Sequence, residues 1–149
     1  MTDTLIDPAA TSVPAAGAAV VVEADGRTAS NDALHTAIEE ALLRGAPLRV
    51  LTTWGARHRE MYDETAVAER DRLSEAQLQR RLARALKRSP GLDVQSIDGY
   101  DSVAEYLTTH PDSAQVLVLG ADHPDSAGLQ TALARSGCAV LTCDRRHRL

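Results

Sequence analysis

The strongest constraint on the fold is a strand–loop–helix–strand pattern that spans residues 18–53. It opens with residues 18–22, an apolar run rich in β-branched side chains, which predicts a strand buried on both faces. The dipeptide Asp25-Gly26 breaks this run, and a second apolar run over residues 48–53 predicts the next strand. The pattern therefore predicts one βαβ unit, with Asp25 at the carboxyl end of its first strand.

The segment between these two strands has the ends and the periodicity of a helix. Ser30, Asn31 and Asp32 are residue types that favour a helix N-terminus. Gly45 favours a left-handed cap, and Pro47 prevents the helix from continuing. The apolar positions repeat at helical spacing and are Ala33, Leu34, Ala37, Ile38, Ala41 and Leu42.

The rest of the chain continues to alternate between strands and helices. A polar connection over residues 54–69 leads into a long helix predicted over residues 64–88. Ser102 and Glu105 have capping-box spacing, which predicts a short helix there. The apolar stripe of the long helix comprises Leu78, Leu82, Ala85 and Leu86. Further strands are predicted over residues 93–97, 115–119 and 138–143, and a last helix is predicted to end at Gly137.

Alternation of this kind is typical of α/β proteins with a parallel sheet covered on both faces. We predict a doubly wound, five-stranded parallel sheet of the flavodoxin-like type with strand order 3-2-1-4-5. In such a sheet, ligands bind where the winding reverses, outside the carboxyl ends of the first and fourth strands. This arrangement would place Asp25 and Gly120 on opposite sides of one crevice.

Composition narrows the classes of function. The chain has 149 residues, a net charge of −5 and 3% aromatic residues, with no Phe. The negative charge argues against a nucleic-acid or anionic-membrane partner, and the few aromatics argue against a base-stacking platform. No apolar run approaches the ~20 residues of a membrane span, and no secretory signal is visible. We therefore expect a cytoplasmic protein of one domain over residues 18–144, between a disordered tail at residues 1–17 and a basic tail at residues 145–149.

Four segments resemble universal stress proteins, a family of the adenine nucleotide alpha hydrolase-like class. Residues 20–30, Val-Val-Val-Glu-Ala-Asp-Gly-Arg-Thr-Ala-Ser, resemble the family's first strand and turn, and residues 41–50 continue the likeness into strand two. Residues 116–120, Val-Leu-Val-Leu-Gly, and residues 137–141, Gly-Cys-Ala-Val-Leu, resemble the fourth and fifth strands. The resemblance covers residues 18–143 and implies a role in stress response.

The resemblance also implies positions for a nucleotide. The family's Asp after strand one contacts adenine, and the main chain at the end of strand two holds the base; these positions are Asp25 and Thr53. A loop after strand four holds ribose and phosphates, with the pattern Gly, two residues, Gly, nine residues, Gly and then Ser or Thr. Gly120 fits the first glycine, but His123 stands at the second, and Leu133-Ala134 stand at the final pair.

This departure predicts that ATP is not bound in the family manner. Glycines let successive backbone N–H groups turn toward a phosphate, whereas Pro124 removes one donor and restricts His123. Asp122 and Asp125 add negative charge beside a ligand that is itself an anion. A helix N-terminus near Ser126 would still attract phosphate, but these carboxylates oppose it. We therefore predict no cofactor, with ATP as the alternative.

Several of these residues have a purely structural alternative. Asp25 would then cap its own turn, and His123 would lie in a solvated loop rather than form a metal site or an acid/base pair with its neighbouring aspartates. Trp54 is expected to cover the edge of the core, and His58 to be solvated. Cys138 and Cys143 stand five positions apart, on opposite faces and about 16 Å from each other, so they cannot form a disulfide within the strand.

The family's last strand often pairs with that of a second copy. We therefore predict a homodimer interface at Val140 and Leu141, with a Cys143–Cys143 contact if the symmetry axis falls there. With no identifiable nucleophile or base, we predict a non-enzymatic stress-response domain that acts by dimerisation and by binding a protein partner or another family member. The alternatives are an ATP- or AMP-binding regulator with a divergent loop, and a small enzyme that uses Asp25 and His123.

Overall fold

The computed structural model describes residues 18–121, 123 and 126–143. The predicted tails, residues 1–17 and 145–149, and the domain's last residue, Asp144, lie outside the described residues, as do Asp122, Pro124 and Asp125. The five strands are β1 (Ala19–Ala24), β2 (Leu48–Thr52), β3 (Val94–Ile97), β4 (Ala114–Leu119) and β5 (Ala139–Thr142). The helices are α1 (Thr28–Arg44), α2 (Trp54–Met61), α3 (Glu64–Arg88), α4 (Val103–Thr109) and α5 (Ala127–Ser136).

All five strands are parallel, and their order across the sheet is β3-β2-β1-β4-β5. This confirms the predicted fold class and strand order. The winding reverses between β1 and β4, which pair from Val20 opposite Val116 to Val22 opposite Val118. Both strands at this reversal are almost entirely buried, as their continuous aliphatic sequences require.

Alternation along each strand divides the core into two layers. Val20 and Val22 of β1 face α1 and α3, whereas Ala19 and Val21 face α4 and α5. The first layer also contains Ala33, Leu34, Ala37, Ala41, Leu48, Val50, Trp54, Leu78, Leu82, Leu92, Val116 and Val118. The second layer also contains Leu51, Val103, Tyr106, Leu107, Ala114, Leu117, Leu119, Leu129 and Ala132. Helices therefore cover both faces, as a doubly wound sheet requires.

Helix α1 begins at Thr28, earlier than the sequence predicted from Ser30, Asn31 and Asp32. Its N-cap is Arg27, whose side chain makes no capping hydrogen bond. The turn before it is held instead by Asp25, whose Oδ1 accepts a hydrogen bond from the Arg27 backbone N–H at 2.9 Å. Because this bond folds the chain at once, the helix begins before the good capping residues are reached.

The polar connection predicted after β2 contains a helix, α2, so that prediction was wrong. Trp54 and His58 lie one helical turn apart and are both buried, with exposed fractions of 8% and 4%. His58 was predicted to be solvated, but its Nδ1 lies 2.7 Å from Asp71 Oδ1 on α3. Packing of these two residues against the fold stabilises a segment whose sequence is mostly polar. Trp54 covers the core edge as predicted.

The start of α4 and the ends of α1 and α5 follow the capping signals. Ser102 Oγ accepts a hydrogen bond from the Glu105 backbone N–H at 3.1 Å, at the start of α4. Gly45 after α1 and Gly137 after α5 adopt left-handed conformations, with φ of 63° and 67°. Glycine adopts such a conformation without the clash between Cβ and backbone that other residues meet. Within the described residues, no helix is long and apolar enough to cross a membrane.

Replacing Gly45 with Ala should lower the free energy of unfolding by about 1 kcal/mol, because Ala is strained at this positive φ. Gly91→Ala is the matched control. A Cβ at either position meets no atom within 4 Å, but Gly91 lacks the positive φ. Urea denaturation measures both variants. Equal stability of Gly45→Ala and Gly91→Ala would contradict the left-handed cap.

Candidate functional site

A cleft of about 290 Å³ lies outside the carboxyl ends of β1 and β2, close to the point where the winding reverses. Its walls come from the β1–α1 turn, α2, the start of α4 and the loop before α5. The volume is at the lower end of the range for small-molecule sites. Asp25, Thr53 and His123, three of the four residues predicted for a nucleotide, line this cleft.

Glu23 is the centre of the site, and the sequence analysis did not select it. Its side chain is 10% exposed at the end of β1. Glu23 Oε2 accepts a hydrogen bond from Thr53 Oγ1 at 2.5 Å, and Glu23 Oε1 lies 2.7 Å from His123 Nε2. The carboxylate therefore contacts the end of β2 on one side and the loop after β4 on the other. A buried carboxylate needs such partners, because an isolated charge is costly to remove from water.

His123 does not lie in a solvated loop. Its side chain is 17% exposed and reaches the buried carboxylate of Glu23. Its backbone N–H donates to Gly120 O at 3.1 Å, which closes a tight turn after β4. This turn directs the imidazole toward the cleft. The sequence suggested two acid/base pairings for His123, one with Asp25 and one with its neighbouring aspartates. Those neighbours lie outside the described residues. In the structure, His123 contacts Glu23.

Asp25 shapes the turn between β1 and α1. Besides accepting from the Arg27 backbone, its carboxylate lies 3.8 Å from the Arg27 side chain, Oδ2 to Nε. These contacts are those of the structural alternative, in which Asp25 caps its own turn. Gly26 follows with φ of 85°, and a Cβ at this position would lie 3.4 Å from His58 Nε2 and from Trp54 Cβ. Helix α2 thus packs closely on this turn.

Thr53 is 4% exposed, and both of its donors are used inside the protein. The hydroxyl donates to Glu23, and the backbone N–H donates to Ala24 O at 3.0 Å. Gly120, the fourth predicted residue, lies in the turn after β4 rather than among the residues that line the cleft.

Negative charge outnumbers positive charge in the lining. The lining carboxylates are those of Glu23, Asp25, Glu60 and Asp101, and the lining guanidinium groups are those of Arg27 and Arg57. Arg27 lies beside Asp25, so its charge is partly neutralised before any ligand enters. Among the described residues, no group of three or more His, Cys, Asp or Glu side chains is placed to hold a metal ion.

The N-terminus of α5 also reaches the cleft. Ser126 is the N-cap, and its Oγ accepts a hydrogen bond from the Leu129 backbone N–H at 3.1 Å. Both Ser126 and Leu129 line the cleft. A helix start attracts anions, but part of its donor capacity is already satisfied by its own cap.

The predicted dimer residues lie at the opposite end of the sheet from β3. All four residues of β5 are exposed, and Val140 and Leu141 are 39% and 36% exposed. Cys143 is half-buried, and its Sγ lies 3.3 Å from Thr36 Oγ1 on α1. Cys138 packs on the other layer of the core, so the two thiols lie on opposite faces as predicted.

The sequence contained one signal that would have identified Glu23. It is the charged residue at the end of an otherwise aliphatic run, on the face shared with Ala19 and Val21. A carboxylate at such a position must find partners in the fold. The partners themselves, Thr53 and His123, are separated from it by 30 and 100 positions and carry no local signal.

Replacing Thr53 with Val should destabilise the protein by about 1–3 kcal/mol, because it removes a donor from a buried carboxylate. Thr53→Ser keeps the hydroxyl and serves as the matched control, with a smaller loss. Chemical denaturation at pH 7 compares the two. If Thr53→Val is as stable as Thr53→Ser, the bond to Glu23 does not stabilise the fold.

The chain is similar to solved structures of universal stress proteins. A universal stress protein of Burkholderia pseudomallei is 20% identical, with a TM-score of 0.52, over 87% of this chain and 97% of that chain. A universal stress protein of Lactobacillus plantarum is 17% identical, with a TM-score of 0.49, over 86% and 98% of the two chains. At such identities the first likeness shows the fold alone. Among curated proteins, none matches this sequence.

A sequence-family model described as the universal stress protein family matches residues 18–139. This match runs from the start of β1 to the first residue of β5, so it includes the cleft, three of the segments on which the resemblance was based and the start of the fourth. The chain therefore belongs to the universal stress protein family.

Proposed function

We propose that this protein acts in stress response without catalysis, by pairing with a second copy through β5 and by binding a partner protein. We further propose that its cleft holds no nucleotide. Family membership supports the role in stress response. The contact between Glu23 and His123, at 2.7 Å, carries the proposal, because it engages the loop after β4 with the protein's own carboxylate.

The residues of the cleft do not fit a triphosphate. The imidazole of His123 faces Glu23, and four carboxylates line the space that an anion would enter. A phosphate site normally presents several free N–H groups and unpaired cations. Here the backbone N–H of Thr53 bonds to Ala24 O, and Arg27 lies beside Asp25. ATP would then lie beside these carboxylates, which repel its phosphates.

The edge strand supports dimerisation. Strand β5 pairs with β4 on one side only in the described part of the chain, and its four residues are exposed. Unpaired backbone groups beside Val140 and Leu141 form a template for a second strand. Two copies of β5 related by a two-fold axis would extend the sheet and bury both side chains.

An ATP- or AMP-binding regulator is the second candidate. The observation that favours it is the start of α5 at the cleft, together with the guanidinium groups of Arg27 and Arg57. It differs from the first proposal in predicting that a nucleotide stabilises the fold. The enzyme alternative requires Asp25 and His123 to act together, but their contacts in the fold are with Arg27 and Glu23 respectively.

Adding ATP with Mg²⁺ should leave the melting temperature unchanged to within about 1 °C. A ligand present at 100 times its Kd stabilises a protein by about 2.7 kcal/mol, which corresponds to several degrees for a domain of this size. Differential scanning fluorimetry makes this measurement, with Mg²⁺ alone as the control. A shift of several degrees that saturates with ATP would favour the nucleotide regulator.

Val140→Pro should convert the dimer to a monomer, because proline has no N–H to donate to a strand ladder. Val140→Thr retains the N–H and the β-branched shape and should stay dimeric. Light scattering gives the mass of each variant, and circular dichroism confirms that each is folded. A folded Val140→Pro variant with the mass of a dimer would place the interface elsewhere.

A further inference from the structure

A groove of about 320 Å³ runs between α1 and α3, on the sheet face opposite α4 and α5. Helix α3 is 25 residues long, yet its buried residues are Leu78 and Leu82. Ala85, one turn further along, is partly buried and packs against the same core cluster. The groove lies beside this C-terminal half of α3, apart from both the cleft and β5.

The floor of the groove is apolar and becomes more exposed along α1. Leu34 is 5% exposed, Ile38 is half-buried, and Leu42 is 46% exposed. Ala85 lies opposite on α3. Apolar side chains at positions i, i+4 and i+8 form one continuous stripe on a helix, so the floor offers a row of contacts rather than a single pocket.

One wall of the groove is a row of arginines on α3. Arg81, Arg84 and Arg88 follow one face at spacings of three and four residues, and the row spans about 10 Å at 1.5 Å per residue. Within the part of the chain that the structure describes, none of the three guanidinium groups has a hydrogen-bond or ion-pair partner.

Another arginine of the same helix, Arg72, does have a carboxylate partner. Arg72 donates two hydrogen bonds to Glu69, at 3.1 and 2.7 Å, and these bonds hold the pKa of that carboxyl below its usual value. On the wall opposite the arginine row, Glu39 lies 3.4 Å from His35 of its own helix. The groove therefore carries a net positive charge in a protein whose net charge is −5.

We propose that this groove binds an amphipathic helix of a partner protein, with carboxylates along one edge and apolar side chains on the adjoining face. Acidic residues at positions i, i+3 or i+4, and i+7 match the spacing of Arg81, Arg84 and Arg88. The apolar face would then rest on Leu34, Ile38 and Leu42, as in other helix-in-groove complexes. The inference gives a site to the partner binding proposed above and rests on that proposed function.

A peptide fits this groove better than a lipid surface or a nucleic acid does. The arginines line one wall of a concave groove, whereas a membrane surface favours positive charge spread over an exposed face. Nucleic acid would use the arginines but would leave the apolar floor uncovered. An acidic amphipathic helix would cover the apolar floor and pair its carboxylates with the arginines of the wall.

The test uses a fluorescein-labelled 14-residue helical peptide with leucine on one face and glutamate at positions i, i+3 and i+7 beside it. Fluorescence anisotropy with the full chain should give saturable binding. Arg84→Glu/Arg88→Glu should weaken binding by about tenfold or more, because two ion pairs are lost and like charges are introduced. Leu42→Glu should also weaken it, because it places a charge on the floor.

Arg80→Glu/Lys87→Glu is the matched control, since it makes the same change of charge on α3 outside the groove. It should change the affinity by less than about threefold. Equal weakening by the two double variants would overturn the proposal, as would an absence of binding to the unmodified chain. Equally strong competition by vesicles with 30% phosphatidylserine, or by a 12-base DNA strand, would assign the groove to a phosphate-bearing ligand instead.

The peptide experiment separates this inference from the dimerisation and the empty cleft proposed above. None of its variants alters β5 or the lining of the cleft. The mass from light scattering and the response to ATP should therefore stay those of the unmodified chain. If the unmodified chain is a dimer but does not bind the peptide, only the groove proposal is overturned. If it binds the peptide but is a monomer, only the dimer proposal is overturned.

Discussion

The buried carboxylate of Glu23 is the interaction on which the arrangement of the cleft depends. It sits at the end of the central strand, where the fold leaves little access to water. Thr53 and His123 contact its two oxygens from different elements. Removing either partner would leave a charge poorly solvated inside the protein, which is strongly unfavourable. One side chain of β1 therefore contacts both Thr53, after β2, and His123, after β4.

This arrangement changes what the cleft can do. In a doubly wound sheet, the point where winding reverses is the usual ligand site, because loops diverge there and leave a crevice. In this protein a side chain of the loop contacts β1, the turn before α1 uses Asp25 for its own backbone, and Thr53 donates to Ala24. Several groups that the resemblance assigns to a nucleotide are therefore engaged within the fold. The surfaces that we propose for recognition are the edge strand β5 and the groove beside α3.

Much of the fold followed from local signals. The aliphatic runs, the helical period from Ala33 to Leu42 and the glycine at position 45 predicted β1, α1 and β2. The alternation of strands and helices predicted a parallel sheet covered on both faces. Helix α2 could not be predicted, because Trp54 and His58 are buried by distant parts of the chain. The partners of Glu23 were missed for the same reason. Local propensity determines where elements begin and end, whereas contacts between distant residues determine which polar side chains become buried.

A residue-resolved titration tests the central claim most directly. Amide chemical shifts of uniformly ¹⁵N-labelled protein would be followed while ATP and Mg²⁺ are added to millimolar concentration. The account predicts no saturable shift at the amides of Ala24, Thr53 and His123, because Glu23 already engages Thr53 and His123 within the cleft. Saturable shifts at these three amides, with a common Kd, would show that the nucleotide enters the cleft and would contradict the account.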